Sequence, residues 1–272
     1  MIRCKPLLGT YVEISVDDEP QAHQAVHDAF CAIERVQNLM GFHQPSSELS
    51  QINQRAHIEP VHIHPWTAKV LSIAQEIHQQ SQGLFNCGIG QHLVQAQLLP
   101  RHPGNIPHHY GNQQNLRFID TNTVASDLPL CLDLGGIAKG FAVDVGIEIL
   151  QSAQLERACI NAGGDLRVFG KEPQAIYIRD PINPHQLLYL GELCNAAIAT
   201  SSLYFMEQDH NTKSYLIDPC SSEYVSFSQS FSVIAQECVY ADALTKVVAI
   251  SGNPNHPCLN HFFAQAIKIG AS

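Results

Sequence analysis

A chain of 272 residues with 45% hydrophobic content and a net charge of −10 carries only 15 Lys and Arg. It is long enough to bury a substantial core and too poor in cations to grip a nucleic-acid backbone. Nine cysteines, an odd number without a Cys-x-x-Cys pair, argue against a disulfide framework or a structural zinc site and suit small buried groups in a reducing compartment. No apolar run reaches the roughly 18 residues of a membrane span, and the N-terminus lacks the basic-then-apolar pattern of a leader. The expectation is a cytoplasmic protein as the sequence stands, or an exported one whose leader has been removed.

In chain order, Tyr11-Val12-Glu13-Ile14-Ser15-Val16 alternates as a first strand. Acidic residues and Pro20 then precede a helix in which Ala22, Ala25, Val26, Ala29, Phe30, Ile33, Val36, Leu39 and Met40 recur at intervals of three and four. Ser46-Ser47-Glu48-Leu49 reads as a capped short helix or a polar turn. Val61-His62-Ile63-His64 alternates as a short strand; His62 and His64 share a face, and hydrogen-bonded histidine is preferred over a metal pair because no third ligand lies nearby. Pro65 and Trp66 open a second long helix, which Ser81-Gln82-Gly83 ends. Residues 100–115 hold three prolines and two glycines and read as an exposed loop, the best place for an insertion or hinge, with His108-His109-Tyr110 as polar aromatic groups on it. Leu116-Arg117-Phe118-Ile119 resumes strand patterning.

The most informative run follows. Leu130, Leu132 and Leu134 alternate around Cys131 and Asp133, predicting a strand that ends at Gly135-Gly136; a helix then carries Lys139, Phe141, Val145, Ile149 and Leu150. A strand, a glycine turn and a helix N-terminus suit an anion, because first-turn N–H groups lack intrahelical partners; an ordinary strand-to-helix turn fits equally well. A second strand ends in Asn161-Ala162-Gly163-Gly164-Asp165, and the two diglycines suggest a shared crevice, although each alone fits a hairpin. Strands are predicted at 175–179 and 187–193. Asn195 through Ser202 reads as a turn whose Thr200 and Ser201 hydroxyls bind phosphate. Ser214-Tyr215-Leu216-Ile217-Asp218-Pro219, with its Asp-Pro terminus, and Phe231-Ser232-Val233-Ile234-Ala235 are further strands. A last long helix, 240–250, sets Asp242 and Thr245 on one face, where their oxygens suit Mg²⁺ or serve only a cap or a surface pair. Strands between helices without serial βαβ order predict an α+β fold with mixed or antiparallel sheets and packed helices.

Taken together, the motifs resemble the ApbE family of flavin transferases. Leu8-Gly9-Thr10, Ser47-Glu48-Leu49, Gly83-Leu84-Phe85, Asp133-Leu134-Gly135-Gly136-Ile137-Ala138-Lys139-Gly140, Asn161-Ala162-Gly163-Gly164-Asp165, Ala199-Thr200-Ser201, Ile217-Asp218-Pro219 and Ala241-Asp242-Ala243-Leu244 occur in the family's order across essentially the whole chain. The resemblance implies an ApbE-like α+β enzyme, one domain over 1–272 with room for two intimate subdomains, that binds FAD and Mg²⁺. Such enzymes join FMN from FAD to a Ser or Thr hydroxyl of an acceptor protein and release AMP; some hydrolyse FAD instead. It assigns Asp242 as the catalytic metal-binding carboxylate and a carbonyl within the Gly136 to Ala138 turn as a further metal ligand; Thr245, on the same face as Asp242, is the candidate for the remaining side-chain oxygen. Asp133, Gly135, Gly136, Lys139, Asn161, Gly163, Gly164, Thr200 and Ser201 are assigned to the flavin-nucleotide crevice. No nucleic-acid partner is expected.

Three departures accompany the resemblance. The family's Arg-Thr-Gly after Ile-Asp-Pro is Cys220-Ser221-Ser222 here, and its Thr-Ser-Gly is Thr200-Ser201-Ser202. Its metal-binding Thr, four residues after the Asp, is Lys246. Because a helix turns by about 100° per residue, Thr245 points elsewhere unless the helix adjusts. Either Thr245 replaces the missing ligand, or Lys246 fills the metal region with its own charge and leaves a catalytically weak FAD-binding, regulatory protein.

Overall fold

A computed structural model describes residues 1–102, 109–183, 185–202 and 216–270. The elements in chain order are β1 (Ile2–Leu7), β2 (Thr10–Val16), α1 (Ala22–Met40), α2 (Glu48–Arg55), β3 (Val61–His62), α3 (Pro65–Gln80) and α4 (Gly90–Gln95). Then come β4 (Leu116–Asp120), β5 (Thr123–Ser126), α5 (Ala138–Ser152), β6 (Ala158–Ala162), β7 (Asp165–Phe169), β8 (Gln174–Arg179) and β9 (Leu187–Leu193). The chain ends with β10 (Ala197–Ser201), β11 (Ser230–Ala235), α6 (Cys238–Ser251), α7 (Cys258–His261) and β12 (Gln265–Ile269). Helices and strands mix as expected, and every strand pair described is antiparallel.

The large sheet runs β1-β2-β6-β7-β10-β11-β12, and smaller sheets are β3-β5-β4 and β8-β9. Strand alternation divides its two faces. Ala158, Ile160 and Ala162 of β6 and Ala197 and Ala199 of β10 join the main core, which includes Ile33 and Val36 of α1, Phe141 and Val145 of α5 and Val247 of α6. Their neighbours Cys159, Val168 and Ile198 form a second cluster with Ile176 of β8 and Leu193 of β9, so the β8-β9 hairpin covers the opposite face. The period-three-and-four pattern read in α1 is its buried stripe; each fully buried Phe or Ile there contributes about 1.5–3 kcal/mol.

Local chemistry explains the boundaries. Ser47 caps α2 by accepting the Ser50 N–H at 3.1 Å, and Glu48 accepts the His64 N–H and the Thr67 hydroxyl. His64 itself caps α3 through Nδ1, which accepts the Trp66 N–H at 3.1 Å, in keeping with the hydrogen-bonded reading of that histidine. His62 is exposed, its Nδ1 3.4 Å from the Thr123 hydroxyl. The Gly163-Gly164 turn closes the β6-β7 hairpin with φ of +65° and +105°, a left-handed pair that two glycines adopt freely. Of the proposed loop motif His108-His109-Tyr110, His108 lies outside the described residues, as do Ser214 and Tyr215 of the strand read before Ile217. Among the described residues no helix is long and apolar enough to cross a membrane.

Two local expectations are corrected. Residues 130–134 keep the alternating burial, with Leu130, Leu132 and Leu134 buried, yet they join no sheet. The side-chain amide of Asn53 takes the place of a neighbouring strand: its Oδ1 accepts the Leu132 N–H at 2.7 Å and its Nδ2 donates to the Leu132 carbonyl at 2.9 Å. Replacing Asn53 by Ala is expected to cost about 2–3 kcal/mol in urea unfolding, because two buried backbone groups lose their partners together. Residues 197–201, read as a phosphate-binding turn, are instead strand β10, paired with β7 and β11. Flanking strands supply the backbone partners that a free turn would offer to a ligand.

Candidate active site

The site is built where α5 and α6 meet. Asp144 of α5 accepts the first-turn Cys238 and Val239 N–H groups of α6, each at 2.8 Å, and pairs with Arg167 of β7 at 2.7 Å. Burial pushes its carboxyl up to about 6, against the opposing pull of Arg167 and the two N–H groups. An Asp144→Ala protein is expected to lose about 3–5 kcal/mol in chemical denaturation, since a largely buried Arg167 and two helix-end donors lose their acceptor. Further along the crossing, a methyl group added at Gly140 would lie 2.3 Å from the Cys238 carbonyl oxygen and 2.7 Å from Asp242 Cβ. Only a residue without a side chain lets the helices approach this closely, and the approach sets Asp242 over the start of α5.

Asp242 is fully buried, and its Oδ2 accepts the Gly140 N–H at 2.9 Å. The anion expected at this helix N-terminus is thus a carboxylate from the chain itself. Lys246, one turn later on α6, bonds Asp242 Oδ1 and also donates to the Asp242 carbonyl at 2.9 Å. Lys139, in the first turn of α5, pairs with Asp165 at the start of β7. Burial works against the charged form of Asp242, but Lys246, Lys139 and the Gly140 N–H hold its carboxyl below the ordinary range. Burial and the neighbouring Asp242 charge raise Asp165, while burial of Lys139 is outweighed by the two carboxylates, which keep it protonated. Two ammonium groups and two carboxylates therefore interlock at the α5-α6-β7 junction.

A small crevice of about 40 Å³ opens beside this cluster, lined by Phe85, Asp133, Gly136, Ile217, Pro219 and Lys246 among others. Among the described residues Lys246 is the one cation lining it. The Lys246 stem runs along Gly136, where an added methyl would sit 3.6 Å from its Cε. Burial raises the Asp133 carboxyl, with the Gly135 N–H and His43 acting in the opposite direction.

The ApbE family profile matches residues 8–260. The chain belongs to the ApbE family. It is 29% identical over 239 residues to the FAD:protein FMN transferase of Vibrio cholerae serotype O1, a match covering 81% of this chain and 71% of that protein. It is 28% identical over 251 residues to the Chlamydia muridarum FAD:protein FMN transferase, covering 85% and 76%. Among solved structures, a mutant of the flavin transferase ApbE from Vibrio cholerae superposes with a TM-score of 0.86 at 25% identity, covering 100% of this chain and 94% of that one. The Pseudomonas stutzeri flavinyl transferase ApbE shares the fold at a TM-score of 0.83 and 18% identity, covering 100% and 91%.

Within this ApbE chain most of the expected residues fall into two groups. Asp133, Gly135, Gly136, Ala138, Lys139 and Asp242 gather at the glycine turn, the start of α5 and the facing part of α6. Asn161, Gly163 and Gly164 form the β6-β7 turn, where Asn161 Oδ1 accepts the Gly164 N–H at 2.9 Å and Gly163 lies against Thr10. Thr200 and Ser201 separate, because adjacent strand residues face opposite ways. Ser201 donates to Thr245 of α6 at 2.8 Å, whereas Thr200 meets Ser232 across the β10-β11 ladder at 2.8 Å. Asp165, left out of the sequence-derived site, is the partner of Lys139; its place beside the second diglycine was the available signal. Phe85, Ile217 and Pro219 stand in segments that carried the resemblance but received no role there.

The departures take definite forms. Ser222 adopts a left-handed φ of 61° in a turn held by Asp218, whose Oδ1 accepts the Cys220 N–H at 2.8 Å. The turn survives with a residue that tolerates this conformation less well than glycine. At α6, Thr245 is fully buried; its hydroxyl donates to the Asp242 carbonyl at 2.7 Å and accepts from Ser201. Mg²⁺ requires near-octahedral oxygen ligands at about 2.0–2.1 Å. Here the Asp242 oxygens are committed to Gly140 and Lys246, Thr245 is turned inward, and the Lys246 ammonium already supplies the positive charge at Asp242 Oδ1. The donor set does not fit magnesium. Among the described residues no cluster of three or more His, Cys, Asp or Glu could hold a metal elsewhere.

Proposed function

We propose that this chain transfers FMN from FAD to a Ser or Thr hydroxyl on an acceptor protein. The hydroxyl oxygen bonds to the FMN phosphorus, the anhydride P–O bond breaks, AMP leaves with the bridging oxygen, and the hydroxyl proton passes to solvent. The observation that carries this reading is the family match across residues 8–260. The crevice beside Lys246 supports it, since a cation beside glycine-lined backbone suits a pyrophosphate whose charge shifts as the bond breaks. An external acceptor fits the local chemistry: the hydroxyls of Thr200, Ser201 and Thr245 are each engaged with another side chain. Magnesium, part of the expectation from resemblance, takes no step here because the oxygens at Asp242 are already committed. We read the chain as one domain, since residues from Val12 to Ala264 contribute to one core.

The test supplies purified protein with FAD, with and without a Thr-bearing acceptor, and separates the products by chromatography and mass spectrometry. The expected result is AMP release coupled to an acceptor that gains one FMN phosphoryl mass. Free FMN and AMP without acceptor would identify a hydrolase. Retained, unaltered FAD under both conditions would identify a binding protein and overturn the transferase reading.

A further inference from the structure

Lys246 holds a position that a side chain needed only for folding would not require. Its ammonium has three N–H donors. One goes to Asp242 Oδ1 and another to the Asp242 carbonyl, which leaves one for a ligand. The side chain is 16% exposed, and that remaining surface lines the crevice along Gly136. Its carboxylate partner is wholly buried and anchored from behind by the Gly140 N–H, so the ammonium is held from one side and open on the other. A lysine placed in this way is a fixed point charge for an anion in the crevice.

We infer that Lys246 is a built-in cation that contacts the FAD pyrophosphate directly, so that FAD binding by this chain does not depend on a divalent metal. This inference rests on the flavin-transfer reading and adds to it the source of positive charge. Asp242 becomes a positioning residue, and its carboxylate orients the ammonium. A divalent ion at Asp242 would have to expel Lys246 from a buried ion pair and leave a cation beside a cation.

The experiment measures FAD affinity of the full chain by titration in excess EDTA and in millimolar Mg²⁺, and Mn²⁺ binding to the flavin-free protein by electron paramagnetic resonance. Expected are equal FAD affinities in the two media, within about twofold, and no Mn²⁺ bound in a manner that depends on Asp242. Lys246→Met is expected to weaken FAD binding about tenfold or more, the loss of one charge-assisted bond. FAD affinity that rises about tenfold with Mg²⁺, or Mn²⁺ binding abolished by Asp242→Asn, overturns the inference while leaving flavin transfer intact. Absence of FAD binding in both media overturns the flavin reading and this inference with it. The wild-type measurements decide the matter even if the Lys246 variant fails to fold.

Discussion

Asp242→Asn is expected to lower the rate of FAD conversion about 10²-fold or more at saturating FAD, without a matching loss of FAD affinity. The asparagine oxygen still accepts the Gly140 N–H, so the junction of α5 and α6 keeps its hydrogen bond. What disappears is the charge that holds the Lys246 ammonium in place. A freed ammonium still attracts phosphate but no longer presents its donor in one direction, so turnover suffers more than binding. Asp242→Ala removes the hydrogen bond as well and leaves a buried ammonium unpaired, with an expected further loss of about 3–5 kcal/mol of stability. Steady-state kinetics, FAD titration and urea unfolding on both variants separate the two effects. A folded Asp242→Asn protein that converts FAD at the wild-type rate would remove Asp242 from the machinery.

Gly140→Ala should destabilise the protein by about 3 kcal/mol or more, because the new methyl would overlap the Cys238 carbonyl oxygen and the Asp242 side chain. Neither obstacle is the free end of a flexible group, so α6 must shift as a body. The melting temperature is expected to fall by about 6–12 °C. Gly146→Ala is the control on the same helix. Its methyl would meet the terminal carbons of Ile160 at 2.6 Å and Ile33 at 3.1 Å, which can rotate away, and alanine favours the helix by about 1 kcal/mol. Its net cost should therefore stay near 1 kcal/mol. Equal melting temperatures for the two variants would contradict the close-crossing argument. Loss of activity in Gly140→Ala beyond its loss of folded protein would show that the crossing also sets the position of Asp242.

Much of this arrangement can be read from the chain because it arises from local chemistry. The apolar stripe of α1, Pro65 at the start of α3 and the hairpin glycines Gly163 and Gly164 each act within a few residues of themselves. The Asp242-Lys246 pair is four residues apart on one helix, a spacing that brings side chains together by geometry alone. The run at 130–134 marks where such reading stops. Its alternation correctly gives the buried leucines, but period two describes any extended segment with one buried side, whether its partner is a strand or the amide of Asn53.

By itself, then, the sequence determined the long helices, most of the strands, an α+β class with mixed or antiparallel sheets and membership of the ApbE family, because these depend on local periodicity and on motif order. Tertiary structure decided which groups face one another: Lys139 with Asp165, Gly140 with Asp242, Ser201 with Thr245. These partners lie 26, 102 and 44 residues apart. No local preference acts over such distances, and only the packing of α5 and α6 on the large sheet brings them within bonding reach. That packing also turned Thr245 inward and aimed Lys246 at the crevice, which transforms a one-residue difference in a motif into a different source of charge at the site.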